Sequence, residues 1–171
     1  VTPDIKPVRR PTSHELALAY ALMHSSGRVL ELGCGWGSTP WLHTICAAAG
    51  RQLVSCDNNV KWVKCFASRF AGRGHKFLYV RDWAKLPLLD GRWSVALVDQ
   101  APVASRGPAI ARLRGATTFI VAHDWGKPQE IKAYGYTALP PFRWSALDRS
   151  CRPFTVILSD WKEIALDFPT P

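Results

Sequence analysis

The sequence predicts an α/β protein built on a parallel sheet, and three observations predict it. Short apolar runs that read as strands alternate with segments of helical spacing as far as Trp125. The first strand opens onto a loop with glycine at every second position, Gly33, Gly35 and Gly37, and a helix follows at once. Each alternating strand also carries an acid at or near its carboxyl end: Glu31, Asp57, Asp82, Asp99 and Asp124. Parallel strands joined by helices imply right-handed crossovers, and in such a sheet ligands collect beyond the carboxyl ends of the strands.

Taken in order, residues 1–11 carry prolines at 3, 7 and 11 and read as an extended lead-in. Thr12 and Glu15 have the spacing of a capping box, and the stripe Leu16, Ala19, Tyr20, Met23 makes a helix that Ser25-Ser26-Gly27 ends. Arg28–Leu32 is the first strand. The helix from about Ser38 shows Trp41, Leu42, Ile45, Cys46 and Ala49 on one face and stops at Gly50. Gln52–Cys56 is the second strand, ending in Asp57-Asn58-Asn59. A helix with Val60, Val63, Lys64, Phe66, Ala67 and Phe70 on its face follows, closed by Gly72 and Gly74. Lys76–Val80 ends in Arg81-Asp82-Trp83 and leads into a proline-containing loop too short for a full helix. Trp93–Val98 ends at Asp99, residues 103–114 hold a short basic helix, and Thr117–Ala122 ends in His123-Asp124-Trp125. Beyond it, Glu130–Tyr134 reads as a short helix, and Phe142–Leu147 with Pro153–Ser159 as a hairpin at one sheet edge. No repeat or linker interrupts the chain, so residues 1–171 are expected to form a single domain.

The totals narrow the class. No stretch has the build of a signal peptide or is long and apolar enough to span a membrane, which excludes a membrane partner; the chain begins at Val1, which reads as a trimmed or processed start. The five cysteines lack Cys-x-x-Cys or Cys/His ligand spacing, which argues against zinc and a disulfide framework and for a reducing, cytoplasmic setting. Lysine and arginine number 22 against 13 acids, a balance of +9. Either a generally basic solvated surface or a polyanion site accounts for it. Three of the eight tryptophans, Trp36, Trp83 and Trp125, directly follow strands, where an indole could stack on a planar ligand.

The rim of acids has chemical meaning. A glycine loop that opens a helix lets a ligand approach the backbone and offers free N–H groups. Glu31, set in an apolar strand, requires a polar partner. Asp57, at the end of the second strand, is placed to accept from both hydroxyls of a ribose. Asp82 reads either as an acceptor for an exocyclic purine amine, with Trp83 over the ring, or as a turn cap. Asp99 and Asp124 end neighbouring strands and could bind a divalent cation, act on a hydroxyl or orient a substrate.

The order of these motifs resembles that of class I S-adenosylmethionine-dependent methyltransferases. V-L-E-L-G-C-G-W-G-S at 29–38 is similar to the family's first motif, S-C-D-N-N at 55–59 to its second, V-R-D-W at 80–83 to the adenine-side acid and A-L-V-D-Q-A-P at 96–102 to the fourth-strand motif. Nicotinamide dehydrogenases would instead show G-x-G-x-x-G, and position 38 is Ser. The resemblance covers roughly residues 12 to 160. It implies a Rossmann-like three-layer fold, with a mostly parallel seven-stranded sheet into which Pro153–Ser159 inserts antiparallel. It also implies S-adenosylmethionine as cofactor: Glu31 beneath its methionine end, Gly33, Cys34, Gly35, Gly37 and Ser38 around it, Asp57 and Asn58 at the ribose, Asp82 and Trp83 at the adenine, and Asp99 beside the transferred methyl group.

Methyl transfer asks the protein to position a nucleophile and, for a hydroxyl, to take its proton. Asp99, Asp124 and His123 are the candidate catalytic residues, with the reservation that His123 and Asp124 alternate on a strand, so that only one faces the site. Strand-end acids of this kind hold Mg²⁺ in metal-dependent small-molecule O-methyltransferases, but here Trp125 and Gly126 stand where a third ligand is expected, so Mg²⁺ is carried as an option with no metal ligands assigned. The lysine expected at the end of the fifth strand of an RNA ribose methyltransferase is replaced by Ala122-His123-Asp124, with Lys127 and Glu163 only strained substitutes. The L-P-P-F at 139–142 lacks the acid of an amino-group DNA methylase and follows the fifth strand. The reading is therefore O-methylation of a small-molecule, sugar or glycan hydroxyl. RNA methylation and a non-catalytic cofactor-binding module completed by a partner are the alternatives, and nothing in the sequence specifies an oligomer.

Overall fold

The computed structural model describes residues 12–166; the lead-in expected over residues 1–11 lies outside them. Seven strands form one sheet: β1 (Val29–Leu32), β2 (Leu53–Asp57), β3 (His75–Tyr79), β4 (Trp93–Val98), β5 (Thr117–His123), β6 (Trp144–Asp148) and β7 (Thr155–Ser159). Their order is β3-β2-β1-β4-β5-β7-β6. The first five are mutually parallel, and β7 runs antiparallel to β5 on one side and β6 on the other. The strand order reverses between β1 and β4, so their carboxyl ends flank the switch point where such sheets bind ligands. The expected seven-stranded sheet with its inserted antiparallel strand is thus present, with strand limits within two residues of those read from the sequence.

The helices are α1 (Glu15–Met23), α2 (Thr39–Ala48), α3 (Val60–Phe70), α4 (Arg106–Leu113) and α5 (Pro128–Ala133). Alternation along the strands divides the core in two. Val29, Val95, Leu97, Phe119, Val121 and Ile157 pack against α1 and α2 on one face, while Leu30, Leu32, Ala96, Val98, Ile120 and Ala122 pack against α4 and the turns after β3 on the other. Glu31, Asp99 and His123 share the parity of the α1 face. Between β3 and β4 the chain makes only two 3₁₀ turns, Trp83–Lys85 and Pro87–Asp90, as the proline-containing loop predicted. Among the described residues no helix is long and apolar enough to cross a membrane.

Two local expectations are corrected. No side chain caps α1: the Thr12 carbonyl, not its hydroxyl, accepts from the Glu15 amide at 3.1 Å. The Thr12 hydroxyl instead donates to the Glu15 carboxylate at 3.0 Å and lies 3.1 Å from the His14 ring. Of the apolar face read for α3, only Phe66 is buried. The helix covers the outer strands β2 and β3, where little sheet surface is left to bury against.

One close approach fixes the start of α4. A Cβ on Gly107 would lie 2.5 Å from the Gly135 carbonyl oxygen, and the Gly107 amide donates to the Tyr134 carbonyl at 2.9 Å. Gly107→Ala is expected to destabilise the fold by about 2–4 kcal/mol, since backbone would have to move. Gly115→Ala, where an added Cβ meets nothing within 4 Å, is expected to change stability by less than about 1 kcal/mol. Urea midpoints of the two variants check the contrast.

Candidate active site

The glycine loop is built from beneath. Glu31 is fully buried, and its carboxylate accepts from the hydroxyls of Ser38 at 2.6 Å, Thr39 at 2.9 Å and Ser55. The Thr39 oxygen in turn accepts from the Gly35 amide at 3.0 Å. The charge is thus spread over three O–H donors that bind the loop to α2 and β2. Burial, only partly offset by those hydroxyls, pushes the Glu31 carboxyl up to about 7. Glu31 therefore acts on the loop through Ser38 and Thr39. Gly33 sits at φ +95°, and a Cβ there would come within 2.6–2.8 Å of the Asp99–Gln100 backbone, so only glycine lets the loops after β1 and β4 touch.

The rim residues fall into two groups. On the β2 side, Asp57 is buried and receives the Cys34 amide at 2.8 Å and the Asn59 amide at 2.6 Å. Burial raises its pKa against those two bonds. Cys34 itself is buried, and its thiol is pushed far up by burial and by the Glu31 and Asp57 charges, which removes it as a nucleophile. Next to this corner lies a mostly apolar cavity of about 380 Å³, lined by Asn58, Asp82, Trp83, Pro102 and Ala109 among others. Asp82 caps the turn after β3 by accepting from the Ala84 amide at 3.0 Å, so the cap reading holds for one of its oxygens. Trp83 is buried and donates from Nε1 to the Ala101 carbonyl at 2.7 Å. Of the other two strand-following tryptophans, Trp125 stacks on Tyr136 with centroids 4.5 Å apart, and Trp36 is half exposed in the glycine loop against Phe66.

On the β5 side the candidate catalytic residues converge. His123 Nδ1 lies 3.1 Å from Asp99 Oδ1 and 3.3 Å from Asp124 Oδ1, while its Nε2 lies 2.6 Å from the Ser13 hydroxyl. Carboxylates accept only, so Nδ1 carries the proton and Nε2 of the neutral ring accepts from Ser13. The expectation that His123 and Asp124 point apart is corrected. Asp124 adopts φ +60°, which ends the strand alternation and turns its carboxylate back to the histidine.

The residue that sequence reasoning missed is Arg106, at the start of α4. Its buried guanidinium lies 2.9 Å from Asp99 Oδ1 and 2.8 Å from Asp124 Oδ2 and donates to the Gln100 carbonyl at 2.9 Å, with the Tyr134 ring 5.0 Å away. Only a basic helix was visible in the sequence; that two adjacent strand-end acids require a cation was the available signal. Burial would raise the Asp99 pKa, but the His123 bond and the His123 and Arg106 charges outweigh it and hold the carboxyl low. Burial likewise lowers His123, and Asp99 with Asp124 outweighs that, leaving the imidazole above its ordinary value. His14 adds a second ring 5.3 Å from His123, against Gly37, with a buried Nδ1 that has no partner among the described residues. Asp99, His123 and Asp124 present ligand atoms within 4.8 Å of one another, yet this set does not fit Mg²⁺. That ion demands a near-octahedral oxygen shell, and a guanidinium already occupies both carboxylates.

No family model and no curated protein sequence matches this chain. Solved structures do. The S-adenosylhomocysteine-bound Podospora anserina methyltransferase PaMTH1 matches with a TM-score of 0.60 at 16% identity, over 80% of this chain and 72% of that one. A TehB-like S-adenosylmethionine-dependent methyltransferase from Corynebacterium glutamicum matches with a TM-score of 0.52 at 15% identity, over 85% and 86%. The chain spans 53% of the length of the S-adenosylmethionine-dependent methyltransferase from Mesorhizobium loti, which it matches over 66% of its own length at 19% identity and a TM-score of 0.48. The fold is the Rossmann-like fold of class I S-adenosylmethionine-dependent methyltransferases.

The Glu31 brace predicts a pH dependence of stability. Its carboxyl is raised in the folded state, so its contribution is complete below about pH 4.5, where the unfolded group is also protonated, and is lost as pH rises through about 7. The stability difference between wild type and Glu31→Gln is expected to shift by on the order of 3 kcal/mol between pH 4.5 and 8, against the wild type at the higher pH. Urea unfolding at the two pH values measures it.

Proposed function

We propose that the chain is an S-adenosylmethionine-dependent methyltransferase acting on a hydroxyl of a small molecule or sugar, in a cytoplasmic setting that its five free cysteines support. The observation that carries this reading is the pairing of His123 Nε2 with a hydroxyl at 2.6 Å while Nδ1 is held by Asp99. It is the geometry of a base aimed at an O–H.

The residues present fit the cofactor. Gly33, Cys34, Gly35, Gly37 and Ser38 leave a loop free of bulky side chains, apart from Trp36, for the methionine end, and an added Cβ on Gly35 would meet nothing closer than 4.0 Å. Asp57 and Asn58 stand at the ribose corner, and the mostly apolar cavity beside Asp82 and Trp83, with Arg81 and Arg112 at its wall, suits the adenine ring. When bound, S-adenosylmethionine supplies a sulfonium methyl group activated for in-line displacement.

The protein's part is to seat the acceptor and take its proton. His123 receives that proton at Nε2, and the imidazolium so formed is stabilised by Asp99 and Asp124. Arg106 pairs with both carboxylates and holds them in place, and its charge helps keep Asp99 ionised beside the imidazole. Ser13 is the group the acceptor hydroxyl replaces on Nε2.

Calorimetry is expected to show binding of S-adenosylhomocysteine that weakens at least tenfold in Asp57→Ala. His123→Gln is expected to retain that binding within about threefold while losing methyl transfer about a hundredfold or more, assayed over a panel of small alcohols, phenols and sugars. Turnover should rise with pH as His123 loses its proton, with a limb above the ordinary histidine range because Asp99 and Asp124 raise it. Absence of S-adenosylhomocysteine binding overturns the reading; binding without transfer to any acceptor makes the chain a non-catalytic module.

A further inference from the structure

The opposite rim of the sheet, at the amino ends of β1, β4 and β5, holds a cavity of about 570 Å³ that plays no part in the site above. Its walls are basic and aromatic. Arg28 lies over the Trp93 ring at 4.7 Å and donates to the Arg92 carbonyl at 2.9 Å, which fixes its guanidinium beside the cavity without neutralising it. The exposed Arg92 side chain has no carboxylate partner among the described residues. Trp161 is 63% exposed, yet its indole N–H is tied to the Arg114 carbonyl at 3.3 Å, so the ring is anchored while its surface stays open. Thr117, 2% exposed, lines the same cavity with a buried hydroxyl that has no hydrogen-bond partner among the described residues.

The cavity continues at Thr118 into a shallower one of about 460 Å³, where Lys162 stands. No acidic residue lines either, and the nearby Asp160 is bound by Arg114. Fixed cations without counter-charges call for an anion, and a tethered open indole calls for a planar ring. An unsatisfied buried hydroxyl calls for a polar atom of the ligand. A nucleotide unit has all three, and the elongated groove is suited to more than one such unit in a row.

We propose that this groove binds single-stranded nucleic acid, with a base stacked on Trp161 and phosphates against Arg28 and Arg92. The proposal does not depend on the methyltransferase reading, because no residue of the groove belongs to the opposite rim. It assigns part of the +9 balance to a definite place.

The test is fluorescence-anisotropy binding of labelled decauridylate and decathymidylate to the full chain at several salt concentrations, with S-adenosylhomocysteine affinity measured in parallel. Both strands are expected to bind. Trp161→Ala should weaken binding about tenfold while Trp161→Phe retains most of it, and Arg92→Ala and Arg28→Ala should each lower the salt slope by about 0.7. S-adenosylhomocysteine affinity should stay unchanged in all four. Arg92 is exposed, so its variant reports even if Arg28→Ala disturbs the fold. The proposal is overturned if neither strand binds, if the variants bind as wild type does, if uridine monophosphate binds as tightly as the decamer, or if S-adenosylhomocysteine displaces the strand.

Discussion

A buried guanidinium between two carboxylates is the interaction on which the β5 side of the molecule depends. Asp99 and Asp124 end adjacent strands, and two carboxylates brought side by side in a half-buried corner call for a cation between them. Arg106 provides it and at the same time satisfies three backbone carbonyls, those of Asp99, Gln100 and His123. One side chain thus closes the ends of β4 and β5 together and holds the acids that orient His123. The close contact of Gly107 with Gly135 belongs to the same construction, since it seats the first turn of α4 from which Arg106 reaches inward.

The β1 side solves a similar problem by other means. Glu31 also places a carboxylate in the core, but its partners are hydroxyls and not a cation, and its pKa moves up where that of Asp99 moves down. Charge is retained at the carboxylate that pairs with His123 and Arg106, and dispersed over hydrogen bonds where a loop must be braced. From Glu31 the hydrogen bonds continue through Ser55 to His75 and His43, with Ser55 Oγ 2.8 Å from His75 and the two Nδ1 atoms 3.1 Å apart, so the brace is tied to β3 and the outer face of α2 as well.

Much of this architecture was legible in the sequence because it rests on local signals. Strand periodicity located all seven strands, and the glycine spacing with Asp57 located the β2 side of the rim. What was hidden depends on contacts between distant segments or on a single dihedral angle. Ser13 meets His123 across 110 positions, Arg106 was one basic residue among many, and Asp124 departs from strand alternation through a left-handed φ that no neighbour announces. The apparent capping box at Thr12 failed for a related reason: its hydroxyl has Glu15 and His14 as competing partners in the folded protein.

The segment Thr12–His14 deserves a practical reading. It leads into α1, packs on Gly37 of the glycine loop, and touches the imidazole of His123. Ser13 and His14 therefore couple the start of α1 both to the glycine loop and to His123. A change in this segment reaches the candidate site and the first turn of α1 together.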